Sequence, residues 1–570
     1  MTKNKNNKFT NPIATAKRVF SNCFSFFKNL LNNHLLELLS LLLFIFTAYY
    51  VNYPDEYVNL LAGKAILNGQ VAYKDFFDHH MPLAWFLAAV IMILSENSLL
   101  LFKFVWAILQ FGFLWFVIGK LIKKYSDEIY SKFKYFAVLY PVVAMYFWLH
   151  LFLADSIASL TAASSLWLLI ALSFAKTIEK KDICITGLLL SSIVLTSLTY
   201  IYWTAFAYLW LFLIFVKTKP CLRCYLKFTL INLMPYLVLG LYILITNSFS
   251  EFIFANFTYN TEFYINIANY TKGRYFNPVK MLLTLIFNFW DKTLPVIPKI
   301  GNHDLYFPHT QLFILSALLT TYLIFKLNKA YGVLFFLMLS LSAPRSEIIS
   351  LGDRNYQAGV FITTSLASLF VSFYLYRKTI TKDLETTVIK ALMVINIIYA
   401  TVSVLFFSQS FYEKVFFVYT QKMPRNYDRD FTAEFIDSLL DKNDYFWIGP
   451  YEPHRAFFVV KGRLPGKYPT LLPQFSESDY LQSNFIKQFE TNPPKIILFK
   501  HTSSIFMTPA EQFGEFFLTY LNQNYIRVSD ADYKVVRNLT DFDLNTDLYI
   551  NKNYADEIIT KLKQKGYIDN

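Results

Sequence analysis

Charge is scarce in this chain. Only 16% of its 570 residues are Asp, Glu, Lys or Arg, while 55% are hydrophobic and 19% aromatic. A soluble surface needs nearer a quarter of charged residues, so a string of soluble domains is excluded, and a disordered chain with it. Cysteine is scarcer still, with Cys23, Cys184, Cys221 and Cys224 as the only four. None follows position 224, so the C-terminal region has no disulfide framework. Cys221 and Cys224 form a C-x-x-C in a basic loop. The second pair of a zinc site is missing, and two reduced cytoplasmic thiols are expected. Neither a glycine-rich phosphate loop nor a nucleophile elbow occurs. No small-residue cleavage site follows the first apolar run, residues 35–51; Tyr49, Tyr50 and Asn52 stand there instead. The run therefore reads as an uncleaved first span, not a secretory signal.

What is present is a series of apolar runs separated by short basic groups. The 53 basic and 40 acidic side chains leave a charge of +13. A nucleic-acid partner would need those bases clustered on one folded face, and they are not. The pattern is that of a multi-pass membrane protein whose positive charge marks the cytoplasmic side. A membrane-spanning helix takes about 20 apolar residues, and a run of about 10–14 is more often interfacial. Spans are expected at 35–51, 99–119, 135–154, 156–175, two within 183–216, then 228–246, 311–325, 331–342, 357–376 and 391–407. Lys103 lies near the outer end of its span, where it can snorkel. If residues 82–94 also crossed, Lys120, Lys123, Lys124, Lys132 and Lys134 would fall outside, against the charge rule. That run and 281–290 are therefore read as interfacial. The fold expected is an α-helical polytopic membrane protein of about eleven transmembrane helices with a C-terminal extracytoplasmic α/β domain. Its parts are a cytoplasmic tail at 1–34, a transmembrane domain at 35–408 with a first outer loop at 52–98, and a soluble outer domain at 409–570. In that outer domain helices are expected at 431–440, 478–489 and 509–521. Strands are expected at 445–448, 457–460 and 496–499. The Asp-rich stretch 530–547 reads as solvated.

Candidate chemistry falls in the outer parts. Asp55 and Glu56 sit just beyond the first span, where ionisable groups are costly and mark functional candidates. Asp55 also reads as a helix N-cap, and a cap can hold a working side chain. Asp155 interrupts two apolar runs; it reads as a cap or as a second carboxylate facing the same cavity. The first outer loop continues Gly69-Gln-Val-Ala-Tyr-Lys-Asp-Phe-Phe-Asp-His-His-Met-Pro-Leu83. His79 and His80 are a metal pair on paper, but adjacent residues diverge on a helix, so contacts to substrate or solvent are expected instead. Arg345 and Arg354 lie outside against the charge bias, either as solvated loop charges or as bidentate phosphate ligands. The tyrosine-rich stretch 257–275 suits a cover for a lipid or sugar.

These residues carry a resemblance. The early Asp55-Glu56, the Gly69-to-Asp75 segment, His79-His80-Met-Pro-Leu83 before a short apolar helix, Asp155 before a span, and Gly352-Asp-Arg-Asn-Tyr356 before another resemble polytopic GT-C glycosyltransferases. The nearest group is the protein mannosyltransferase-like family that includes bacterial aminoarabinose transferases. Trp447-Ile-Gly-Pro450 and Lys461-Gly-Arg-Leu-Pro465 resemble the outer domain of that family. The family often carries Lys-Pro-Pro-Leu where this chain has His80-Met-Pro-Leu83. The resemblance implies transfer of a sugar from a polyprenyl-phosphate donor to a lipid, glycan or protein acceptor on the outer face of the bilayer, with inversion. It implies Asp55 as general base with Glu56 and Asp155 in support, His80, Arg345 and Arg354 near the donor phosphate, and His79 and Tyr356 near substrate. No cofactor is required by this chemistry, a divalent metal is compatible with it, and no residue is assigned as a metal ligand. The alternative is a transporter or lipid-linked sugar flippase, which predicts charges near span centres and internal repeats; neither is seen. A non-catalytic scaffold leaves the carboxylates beside the membrane unexplained.

Overall fold

Apolar runs that cross a bilayer must satisfy their backbone hydrogen bonds internally, and here they do so as helices. The computed structural model describes residues 34–50, 53–96, 98–264, 278–295, 308–345, 351–379, 384–420, 429–450, 455–531, 533–539 and 541–569. Nearly all of the expected tail 1–34 lies outside them, as do 265–275 of the tyrosine-rich stretch and 346–350 of the Arg345–Arg354 loop.

The described chain is mostly helical, and seven of its helices are long and apolar enough to cross a membrane. They are Leu99–Tyr125, Ala154–Ser173, Leu198–Lys217, Leu222–Ile245, His309–Leu327, Tyr356–Thr379 and Thr387–Thr420. Helices stand at the other four expected crossings too, but each falls short of that measure. His34–Thr47 and Lys329–Ser340 are short, Lys180–Thr196 has 17 residues, and Asp127–Phe147 carries Asp127, Glu128, Lys132 and Lys134 in its first half. The last long helix runs through the expected domain boundary at 408 and ends at Thr420.

Ala154–Ser173 and Gly359–Thr379 are buried on nearly all sides and form the centre of the bundle. Small residues allow that. A Cβ on Gly359 would stand 2.3 Å from Ser159 Oγ, and Thr363 Oγ1 donates to the Ser159 carbonyl at 2.9 Å. Close backbones joined by hydroxyl hydrogen bonds are the way helices associate where lipid offers no hydrophobic drive. At the periphery, Leu222–Ile245 exposes Leu230, Leu233, Met234, Leu237, Val238 and Leu241, as a lipid-facing surface would. Pro54–Leu67 and Leu83–Ser95 pack as a pair, with Gly63 against Ala88; a Cβ on Gly63 would lie 2.7 Å from that of Ala88.

Lys103 does not snorkel. It is buried, and its Nζ lies 2.9 Å from Glu56 Oε2. A carboxylate within reach inside the protein removes the need to reach the interface.

The C-terminal region carries a small mixed sheet. Phe446–Gly449 pairs in parallel with Ile496–Phe499, followed by Leu548–Asn551 and Tyr525–Arg527, both antiparallel. Trp447 faces Phe485, Phe489 and Phe517, at ring distances of 5.8, 5.6 and 5.3 Å. Its neighbour Phe446 packs on Phe457, as the alternation of a strand requires. The expected strand 457–460 is instead a helical turn, Ala456–Val459. Lys64 Nζ donates to the Phe458 carbonyl at 2.8 Å, taking the place of a partner strand. Asp547, in the stretch read as solvated, is buried; it accepts from the Asp543 and His501 backbone N–H groups at the start of the last strand.

Candidate active site

Two helices begin in the same way at the edge of one cavity. Pro54–Leu67 has Tyr53 as N-cap, and Ala154–Ser173 has Leu153. Asp55 and Asp155 are therefore each the second helical residue, and neither helix has a side-chain cap hydrogen bond. The cap reading of both aspartates is overturned: Pro54 and Ala154 start the helices, and each Asp stands two positions inside the N-cap. A carboxylate there still benefits from the positive helix end.

The cavity is about 110 Å³ and is lined by Asp55, Asp78, His79, His80, Asp155, Arg345 and Tyr356. Tyr264, Phe475 and Phe506 form part of its wall, so the C-terminal region contributes to it. Arg345 Nη2 donates to Asp155 Oδ2, and the Tyr200 hydroxyl donates to Asp155 Oδ1 at 3.1 Å. Both oxygens of Asp155 are thus engaged. The Tyr356 hydroxyl donates to Asp55 Oδ2, while Asp55 Oδ1 makes no hydrogen bond among the described residues. Of these two aspartates, Asp55 is the one with a free acceptor.

On the facing wall the chain bends through Asp78, His79 and His80. Asp78 Oδ1 accepts from the His79 backbone N–H at 2.6 Å and lies 3.0 Å from His80 Nδ1. Burial opposes a charge on His80, but the adjacent Asp78 carboxylate outweighs it and holds the imidazolium above its usual range. His79 goes the other way: burial, then the charge on His80, push it down to about 3. Backbone ties fix the bend, with the Tyr73 hydroxyl donating to the His80 carbonyl at 2.9 Å and Asn260 Nδ2 to that of His79 at 3.2 Å. The His79 ring lies 4.7 Å from that of Tyr264.

Of the eight residues singled out from sequence, six line this cavity: Asp55, His79, His80, Asp155, Arg345 and Tyr356. Glu56 and Arg354 do not. Glu56 turns into the protein, where Oε1 accepts from the Phe152 N–H at 2.9 Å and Oε2 pairs with Lys103. Arg354 is exposed and lies over the Trp148 ring at 4.9 Å. Its backbone is left-handed, with φ of 72°, and its N–H donates to the Tyr146 carbonyl. Two polar groups of the site were missed, Asp78 in the cavity lining and Tyr200 behind it on Asp155. Asp78 is visible in the loop motif as an acid beside two histidines; Tyr200 is one of 40 tyrosines and carries no signal of its own.

A second, apolar groove of about 490 Å³ is lined by Pro82, Leu83, Phe86, Leu195, Met234 and Val238 among others. Only Met81 separates its first lining residue from His80.

No protein-family model matches the chain, and no curated protein matches it. Among solved structures, the crystal structure of ArnT from Cupriavidus metallidurans bound to undecaprenyl phosphate aligns over 90% of this chain and 97% of that one. The TM-score is 0.46 and the sequence identity 11%.

Proposed function

We propose that the protein is a membrane glycosyltransferase that moves a sugar from a polyprenyl-phosphate donor to an acceptor hydroxyl. The observation that carries this reading is a pair of unlike surfaces built on one short segment. His80 lines a polar cavity with Asp55 and Arg345, and Pro82, two positions later, lines an apolar groove. A lipid-linked donor needs such a pair, with its chain in the groove and its phosphate in the cavity. The acceptor oxygen attacks the anomeric carbon, and the bond from that carbon to the phosphate oxygen breaks. The electron pair leaves with the lipid phosphate, and the hydroxyl proton passes to Asp55 Oδ1. Arg345 faces the charge that grows on the phosphate, and fixed cations at that point lower the barrier. Asp155 is a positioning residue that holds Arg345. Inversion follows from the family resemblance and from direct attack.

The end of the bundle that carries the cavity is placed outside the membrane in this reading, with residues 409–570 on the same side. Lys124, with Glu179 and Asp182 beside it, is placed in the cytoplasm.

The test is transfer itself. Full-length protein in lipid vesicles is incubated with polyprenyl-phosphate sugars and a membrane extract, and products are followed by mass spectrometry. Release of lipid phosphate coupled to a new glycoconjugate, lost in Arg345→Ala, supports the proposal. If every donor stays intact while the sugar lipids change leaflet, the protein is a flippase.

A further inference from the structure

Asp78, His79 and His80 are consecutive, yet they converge. On a helix their side chains would diverge by about 100° per residue. In this bend the two imidazole rings stand 4.2 Å apart, and one ligand-type atom from each of the three residues lies within 4.8 Å of the others. Asp78 Oδ1 is 3.0 Å from His80 Nδ1 and 3.3 Å from His79 Nδ1. Ligand atoms held about 2.1 Å from one ion at tetrahedral or octahedral angles stand roughly 3.0–3.4 Å apart, so the spacing of Asp78 to both rings is that of a chelate.

A second observation is independent of the spacing. Asp78 is 6% exposed, and its Oδ2 makes no hydrogen bond among the described residues. A buried carboxylate oxygen without a donor is costly, and a cation bound to the carboxylate offsets that cost. The ring positions are also preset, because the His79 and His80 carbonyls are held by Asn260 and Tyr73. Outer hydrogen bonds of this kind orient metal ligands.

We infer that Asp78, His79 and His80 bind one divalent transition-metal ion, and that its open coordination positions face the cavity shared with Asp155 and Arg345. Two imidazoles and one carboxylate suit Zn²⁺ or Mn²⁺. The phosphate half of this inference rests on the proposed function: a lipid-phosphate oxygen takes an open position, and the ion adds to the charge of Arg345. The metal half stands on the side chains alone.

The experiment reads metal before activity. The full chain carrying Cys221→Ser and Cys224→Ser, which removes the competing thiol pair, is stripped with chelator and dialysed against Mn²⁺ or Zn²⁺. Bound metal is counted by elemental mass spectrometry, and the Mn²⁺ form is examined by pulsed electron paramagnetic resonance. One ion per chain, with imidazole nitrogen coupling, is expected. His80→Ala should weaken binding at least tenfold, on the order of what even outer-ligand changes do. Asp78→Asn should do the same, and it retains an acceptor for the His79 N–H if folding is the concern. Metal-free thermal unfolding checks both variants. A chain that retains no ion, or that binds equally well after His80→Ala, overturns the site. If metal binds but no lipid-linked sugar is ever consumed, the site stands and the proposed function falls.

Discussion

Asp55→Asn separates chemistry from structure at one position. The N-cap is Tyr53, so the substitution removes no cap. The Tyr356 hydroxyl keeps an acceptor, because an amide oxygen can replace Asp55 Oδ2. What is lost is the charge assistance of that hydrogen bond, about 1 kcal/mol, taken as the difference between about 1.5–3 for a charged partner and about 0.5–1.5 for a neutral one. Loss of a carboxylate at a helix N-terminus adds about 0.3–1 kcal/mol. The stability cost is therefore about 1–2 kcal/mol, and the protein should insert and fold. Transfer should suffer far more, by roughly 10²–10⁴-fold, because an amide cannot take the acceptor proton. In barrier terms that is about 2.7–5.5 kcal/mol. The assay is turnover of a lipid-linked sugar by purified protein, with donor half-saturation measured alongside. Turnover should fall while half-saturation stays close to the parent value. Asp55→Ala should match it in turnover and be less stable, since it leaves the Tyr356 hydroxyl without its acceptor. Near-parental turnover in a well-folded Asn variant would remove Asp55 from the mechanism. Asp155, already committed to Arg345 and Tyr200, would then have to be released by substrate to act.

Other substitutions probe the surroundings. Glu56→Gln leaves Lys103 charged and buried, and should destabilise by about 3–5 kcal/mol in thermal unfolding. Glu56→Gln with Lys103→Met should recover most of that loss, and equal losses in the single and double variants would contradict a buried ion pair. Arg345→Lys should raise the donor half-saturation by losing the guanidinium fork, whereas Arg354→Ala, at a residue that does not line the cavity, should leave it unchanged. Gly63→Val should destabilise by about 1–3 kcal/mol, because the added carbons meet Ala88 and the Ala89 backbone. A membrane-impermeant thiol reagent applied to intact cells should label a cysteine placed at Lys500 and not one placed at Lys124; the reverse would invert the proposed topology.

The helices of the first 420 residues were legible because an apolar run in lipid has one way to satisfy its backbone. Their polar contacts were not. A lone lysine near a span end looks the same whether it reaches water or a buried partner. For Lys103 the answer lay with Glu56, in a different helix. The same limit applies to 456–459, where a four-residue apolar run is equally strand and helix by composition. Lys64, nearly 400 positions earlier, supplies the deciding contact.

The site divides along a similar line. Sequence could find ionisable residues at the ends of spans, and six of the eight so found share a cavity. It could not rank two arginines in one loop. Arg345 meets a buried carboxylate from the helix Ala154–Ser173, while Arg354, nine positions later, takes up a left-handed turn that lays it over Trp148. For the histidine pair the geometry assumed from sequence was that of a helix, whereas the two rings stand 4.2 Å apart in a bend. Divergence of neighbours is a property of helices, and Asp78-His79-His80 precedes the helix that starts at Leu83. Pro82 is the local reason for that start. As N-cap it holds the preceding residues out of the helix, and a residue before proline is biased away from helical backbone. Proline thus converts three consecutive polar residues from a divergent face into a convergent cluster. Asp78, the one member not singled out from sequence, joins both rings.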